Sequence, residues 1–296
     1  MLNVGSGMSR AVVTAIAAQK GGTGKTALAG SLASLWACAG FRTLLIDLDQ
    51  QANLTFAFAV DPADLDGTVV DVLAPRNSVP VEDVVLHGVH GVPGLDLLPC
   101  DERAEALDTQ LRSETMGAFR LKDELEPLLG DYDRVVMDCP PNVGELTVSA
   151  LLAADEIVCP VKMSDSNALR GLSRLTQTVE KLNRRGVPVR VKKLVKVECD
   201  HAQLSYRLNR KALERLARRL KLPVARTELR ARAAWRTAIT RNLPLILLDE
   251  RDRSTREAQT DVHQLARELW PRVSFPSASE IKVTRRAGMA RSRRAA

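Results

Sequence analysis

At 296 residues the chain can hold one large α/β domain or two small ones, and with 45% hydrophobic but only 3% aromatic residues its core must be Leu, Val, Ile and Ala. No apolar run reaches the about 20 residues of a membrane span, and MLNVGSGMSR lacks the features of a secretory signal, with Met8 a candidate initiator. The net charge of +7 hides a split: residues 1–180 carry 13 Lys+Arg against 25 Asp+Glu, and residues 181–296 carry 30 against 11, so one face is expected to meet a polyanion, either nucleic acid or an anionic membrane surface.

Apolar runs at 11–18, 42–49, 95–99, 134–140, 156–161 and 189–197 read as strands. Amphipathic segments at 26–38, 101–112, 116–129, 144–153, 166–184, 204–220, 230–241 and 255–269 read as helices. This alternation predicts an α/β fold with a doubly wound, mostly parallel sheet flanked by helices. A single domain is expected over 11–273, after a flexible start at 1–10. A mobile basic tail at 274–296 follows, with Arg285, Arg286, Arg291, Arg293 and Arg294. The five cysteines are scattered and lack metal-ligand spacing, so buried free thiols in a reducing cytoplasm are expected.

Between the first strand and the first helix lies KGGTGKT, Lys20 to Thr26. A polyphosphate needs inward-pointing backbone N–H groups, close-wrapping glycines, a neutralising lysine and a helix N-terminus. Gly21, Gly22 and Gly24 supply the wrapping, with Thr23 between them. Lys25 supplies the charge, Thr26 a hydroxyl for Mg²⁺, and Ala27 the continuing helix start. The next strand ends in Asp47 and Asp49, two residues apart and so on one side of the strand, toward the loop. A third strand ends in Asp138, placed to hold Mg²⁺ through water, before the stiff Pro140-Pro141 turn.

In these residues the chain resembles the deviant P-loop family of ParA and MinD ATPases. AAQKGGTGKTAL is most similar to the ParA branch, and MinD-like members usually have glycine where this chain has Gln19. LLIDLDQQANLT is similar to the family's second motif, with Gln50 in place of its usual proline. The resemblance implies a deviant P-loop NTPase fold, ATP and Mg²⁺ as cofactors, and an ATP-dependent homodimer in which Lys20 reaches the nucleotide of the opposite subunit. It also implies that Asp49 positions the attacking water, that Asp47 lies near the metal, and that residues 139–146 respond to the terminal phosphate. Lys20, Lys25 and Asp49 are then the catalytic residues, and Thr26, Asp47 and Asp138 serve the metal.

Beyond residue 195 the likeness weakens. The segment 226–247 keeps its place before an expected last strand but is rewritten with arginines, and no adenine-contacting residue is assigned. Arg207, Arg210, Arg218 and Arg219 on one predicted helix, with Arg230, Arg232 and Arg236 on the next, form the expected DNA surface within 200–245. With only about ten residues before the first strand, no helix-turn-helix precedes the loop, and operator reading is not expected. The leading expectation is a partition ATPase, cytoplasmic and nucleoid-associated. Its partners would be nonspecific double-stranded DNA and a ParB-type centromere-binding protein. Two alternatives stand beside it. One is a MinD-like membrane-associated ATPase, disfavoured by the few bulky apolar residues of the tail. The other is a nucleotide-switched DNA-binding regulator with negligible hydrolysis.

Overall fold

The apolar runs pair into one seven-stranded sheet in the order β3-β2-β4-β1-β5-β6-β7. The strands are β1 (Val12–Ile16), β2 (Thr43–Asp47), β3 (Leu95–Leu98), β4 (Arg134–Asp138), β5 (Glu156–Lys162), β6 (Arg190–Cys199) and β7 (Val224–Arg230). Every adjacent pair is parallel. Central strands of such a sheet are covered on both faces, which is why β2 is buried at every residue. The computed structural model describes residues 10–165, 167–249, 252–277 and 280–281.

The helices are α1 (Lys25–Cys38), α2 (Asn53–Ala57), α3 (Val69–Val72), α4 (Ala104–Ser113), α5 (Arg120–Leu125), α6 (Glu145–Ala153), α7 (Ala168–Arg184), α8 (Leu204–Leu220), α9 (Ala233–Thr240) and α10 (Arg253–Leu269). Side chains of α3 to α8 form one core layer, and those of α1, α2, α9 and α10 form the other. The expected helix at 116–129 is cut short. Pro127 has no N–H to continue the ladder, and α5 gives way to a 3-10 turn over Glu126–Gly130. The expected helix at 230–241 starts three residues later, because Arg230 still belongs to β7. No strand follows β7 among the described residues. Thus 226–247 begins inside the last strand instead of preceding it.

Trp36 of α1 anchors the second layer and is 1% exposed. Its ring meets Phe41, Trp270 and Phe275 at centroid distances of 4.8, 5.0 and 4.9 Å. The Arg134 guanidinium lies 4.0 Å over the same ring. Phe275 is buried here, so the packing runs past the boundary expected at 273. The start at 1–9 and the tail arginines from Arg285 to Arg294 lie outside the described residues. All five cysteines are free; Cys38 is half-buried and the other four are buried. Among the described residues no helix is long and apolar enough to cross a membrane.

Candidate nucleotide site

The C-terminal ends of β1, β2 and β4 bring the three motifs together. Asp138 stands in register with Asp47 on β2 and with Ile16 at the end of β1. The chain then leaves β1 through the loop and enters α1 at Lys25. In doubly wound sheets ligands bind in this crevice, where neighbouring connections diverge.

The loop needs glycine at two points. Gly22 has φ +67° and Gly24, which caps α1, has φ +73°, a region costly for any residue with a Cβ. The N–H groups of Gly21, Gly22, Thr23 and Gly24 make no hydrogen bond of ordinary geometry among the described residues, so four donors gather on one short loop. Inside it, Thr23 Oγ1 donates to the Lys20 carbonyl at 3.3 Å, and Lys25 Nζ lies 3.4 Å from the same oxygen. Lys25 and Thr23 are buried, while Thr26 and Ala27 are half-buried on the first turn of α1. A buried ammonium and unpartnered amides at a helix N-terminus form an anion site.

Opposite stand three carboxylates. Asp47 is fully buried; its Oδ2 accepts from the N–H and the hydroxyl of Thr55 at 2.9 and 2.8 Å, and its Oδ1 from Asp49 N–H at 3.1 Å. Burial outweighs these bonds and pushes its carboxyl up to about 6. Asp138 is also fully buried, and neither of its oxygens has a hydrogen bond of ordinary geometry. Burial, then the charge of Asp47, raises its carboxyl well above the usual range, against the nearby Thr26 hydroxyl and Lys25. Asp49 is nearly buried, and its Oδ1 accepts from Gln51 N–H at 3.1 Å. Cys139, beside Asp138, has its thiol pushed far up by burial, which makes it an inert packing group.

This donor set fits Mg²⁺. The orphaned Asp138 oxygens need a partner, and Thr26 offers a hydroxyl beside them. Among the described residues no group of three or more His, Cys, Asp or Glu side chains could hold a metal ion. A hard cation would therefore complete its shell with phosphate oxygens and water, as Mg²⁺ commonly does.

Three residues missed by the sequence reading support the loop and the carboxylates. Asp165, after β5, pairs with Lys20, and hydrogen bonding from that lysine holds its carboxyl below the usual range. Lys162 donates to the Gly22 carbonyl. Thr55 ties Asp47 to Cys100, whose N–H donates to Thr55 Oγ1 at 3.0 Å. Lys162 and Asp165 belong to no recognisable motif and are marked only by nearness to the end of β5, while Thr55 closes the second motif without a signal that sets it apart.

The expected DNA arginines separate into groups. On α8 the buried stripe is Tyr206, Asn209, Leu213 and Ala217, and Arg207, Arg218 and Arg219 are exposed away from it. Arg210 is exposed but bonded to Glu214 at 3.0 Å. Arg230 and Arg236 are exposed on β7 and α9. Arg232 is different: it pairs with Glu257, and with Asp261 at 3.2 Å, and its side chain is only 15% exposed. It is a strut to α10. Because α8 and α9 lie in opposite core layers, the exposed arginines wrap around the edge strand β7. Leu204 and Leu208, 68% and 59% exposed, interrupt the α8 face.

A profile for AAA_31, described as an AAA domain, matches residues 11–193. The chain is 36% identical over 168 residues to the chromosome partitioning protein ParA of Myxococcus xanthus, covering 57% of this chain and 58% of that protein. The match spans under two thirds of the first curated relatives' length. The fold is shared with an aspartate-to-alanine variant of Cyanothece McdA in its ATP complex, at TM-score 0.75 and 22% identity, covering 88% of this chain and 96% of that one. Cobyrinic acid a,c-diamide synthase from Mycobacterium smegmatis with bound ADP and magnesium superposes at TM-score 0.71 and 25% identity, covering 90% and 98%.

Proposed function

The chain belongs to the AAA_31 family of AAA domains, in its ParA-type branch, and from that premise we propose that it is an ATP-hydrolysing partition switch. In this reading ATP closes two copies face to face, and the dimer binds nonspecific double-stranded DNA through its arginine surface. A ParB-type centromere-binding partner then stimulates hydrolysis and release. The observation that carries the reading is the loop of unpartnered amides with buried Lys25, facing the orphaned carboxylate of Asp138.

Phosphoryl transfer is chiefly positioning and charge neutralisation. The amides of Gly21 to Gly24 and the ammonium of Lys25 would hold the phosphates against the dipole of α1. Thr26 and, through water, Asp138 would hold Mg²⁺, which would supply charge neutralisation at the phosphates. Asp47, fixed by Thr55 and the Asp49 N–H, lies near the metal site, and Asp49 orients the attacking water with its carboxylate. Lys20 leaves Asp165 to neutralise charge on the nucleotide of the facing copy.

Phosphate release from Mg·ATP, with and without DNA, tests the proposal. Turnover that rises with DNA and disappears in Lys25→Ala supports it. ATP binding without phosphate release in any condition would make the chain a nucleotide-switched regulator instead.

A further inference from the structure

The end of β5, the connection after it and the first turns of α7 grip the phosphate loop at three points. At Gln19 the approach is so close that a Cβ on Gly171 would lie 2.8 Å from the Gln19 carbonyl oxygen. At Lys20 the grip is the ion pair with Asp165. At Gly22 it is Lys162, whose Nζ donates to the carbonyl oxygen at 3.3 Å.

Lys162 is itself held in place. Its Nζ lies 2.8 Å from Glu198 Oε1, and Glu198 Oε2 accepts from Ser164 Oγ at 3.1 Å. Glu198, next to the end of β6, has φ +51°. A residue with a Cβ stays in that region only where its surroundings over-determine it, and such positions cluster at functional sites. Here the strained backbone presents the carboxylate to Lys162.

Peptide planarity links this brace to the nucleotide. No peptide bond is cis among the described residues, so the N–H of Thr23 points opposite to the Gly22 carbonyl of the same peptide. That N–H faces away from Lys162 and makes no hydrogen bond of ordinary geometry among the described residues. We propose that Lys162 is a positioning residue for the phosphate loop: by holding the Gly22 carbonyl it aims the Thr23 N–H at a bound phosphate. Its charge also polarises the peptide, which strengthens the donor on the far side. The lysine acts through the loop and not on the terminal phosphate, so ATP and ADP depend on it equally.

The proposal rests on the nucleotide-site reading, and one set of titrations separates the two. Binding of Mg·ADP and of a non-hydrolysable Mg·ATP analogue is measured calorimetrically on the full chain, with turnover followed in parallel. In Lys162→Gln both dissociation constants rise about tenfold, the loss of one charge-assisted bond, while kcat at saturation changes by less than about threefold. Lys162→Arg restores most of the affinity. Glu198→Gln weakens both nucleotides less, and the double variant is no weaker than Lys162→Gln alone. Glu198→Gln also gives the reading should Lys162→Gln fail to fold, as judged by circular dichroism. Unchanged affinity for both nucleotides overturns the proposal, as does a loss confined to the ATP analogue, which would put the lysine on the terminal phosphate. A wild-type chain that binds neither nucleotide overturns the site reading itself.

Discussion

Lys20 and Asp165 form an ion pair within one chain. The same lysine is proposed to serve a facing copy, so the internal pair and the intermolecular contact are mutually exclusive. Asp165→Asn should release the lysine and lower, by several-fold, the Mg·ATP concentration at which a dimer appears in sedimentation. Lys20→Gln should abolish hydrolysis while leaving nucleotide binding. Unchanged turnover in that variant would remove Lys20 from the mechanism.

Asp138 and Asp47 oppose one another at buried strand ends where bulk water does not screen them, so the nucleotide-free fold carries their repulsion. Both folded-state values lie above the unfolded value near 3.9, so stability is full below about pH 4 and falls as pH rises through the folded values. Asp138→Asn should therefore raise Tm by a few degrees, on the order of 2 kcal/mol. The gain should grow from pH 4 to pH 7, and turnover should fall by at least about 100-fold. Thermal scans across that range check the sign. A gain that shrinks with rising pH would contradict the assignment.

Thr55 carries more than its place in the sequence suggests. Its hydroxyl donates to Asp47 and accepts from Cys100 N–H, both buried. Thr55→Val strands the Cys100 N–H and removes one of the two Thr55 donors to Asp47, and should cost about 1–3 kcal/mol in urea unfolding. A loss under about 1 kcal/mol would mean that water replaces the hydroxyl.

The arginines divide by role. Arg218→Ala with Arg219→Ala should leave Tm within a degree or two and lower the salt slope of DNA binding by about 0.9 for each phosphate no longer neutralised. Arg232→Ala should do the reverse, lowering Tm because Glu257 and Asp261 lose their shared partner. Equal effects on DNA from both sets would show that the inward placement of Arg232 does not govern its role.

Five strands and most helices were legible because buried parallel strands are near-continuous apolar runs, and β6 was legible through its valines despite Arg190 and three lysines. β7 was not: VARTELR carries three charges along an edge and buries only Ala225 and Leu229, which hides it from a search for apolar runs. The phosphate motifs were legible because glycine, lysine and paired carboxylates recur at fixed spacing. Lys162, Asp165 and Thr55 were hidden because only the fold brings their partners near: Glu198 to Lys162, Lys20 to Asp165, and Cys100 to Thr55. Arginine runs conceal partners in the same way. Nothing in RARAAWR tells that Arg232 turns inward while Arg236 faces solvent.

In the proposed switch, nucleotide state controls a sequence-blind DNA surface. A DNA-binding titration of the full chain with ATP, with ADP and without nucleotide, at two salt concentrations, probes that control without intermediaries. The expected result is binding in ATP alone, indifferent to DNA sequence and falling steeply with salt. Binding that is the same in all three nucleotide conditions would contradict it.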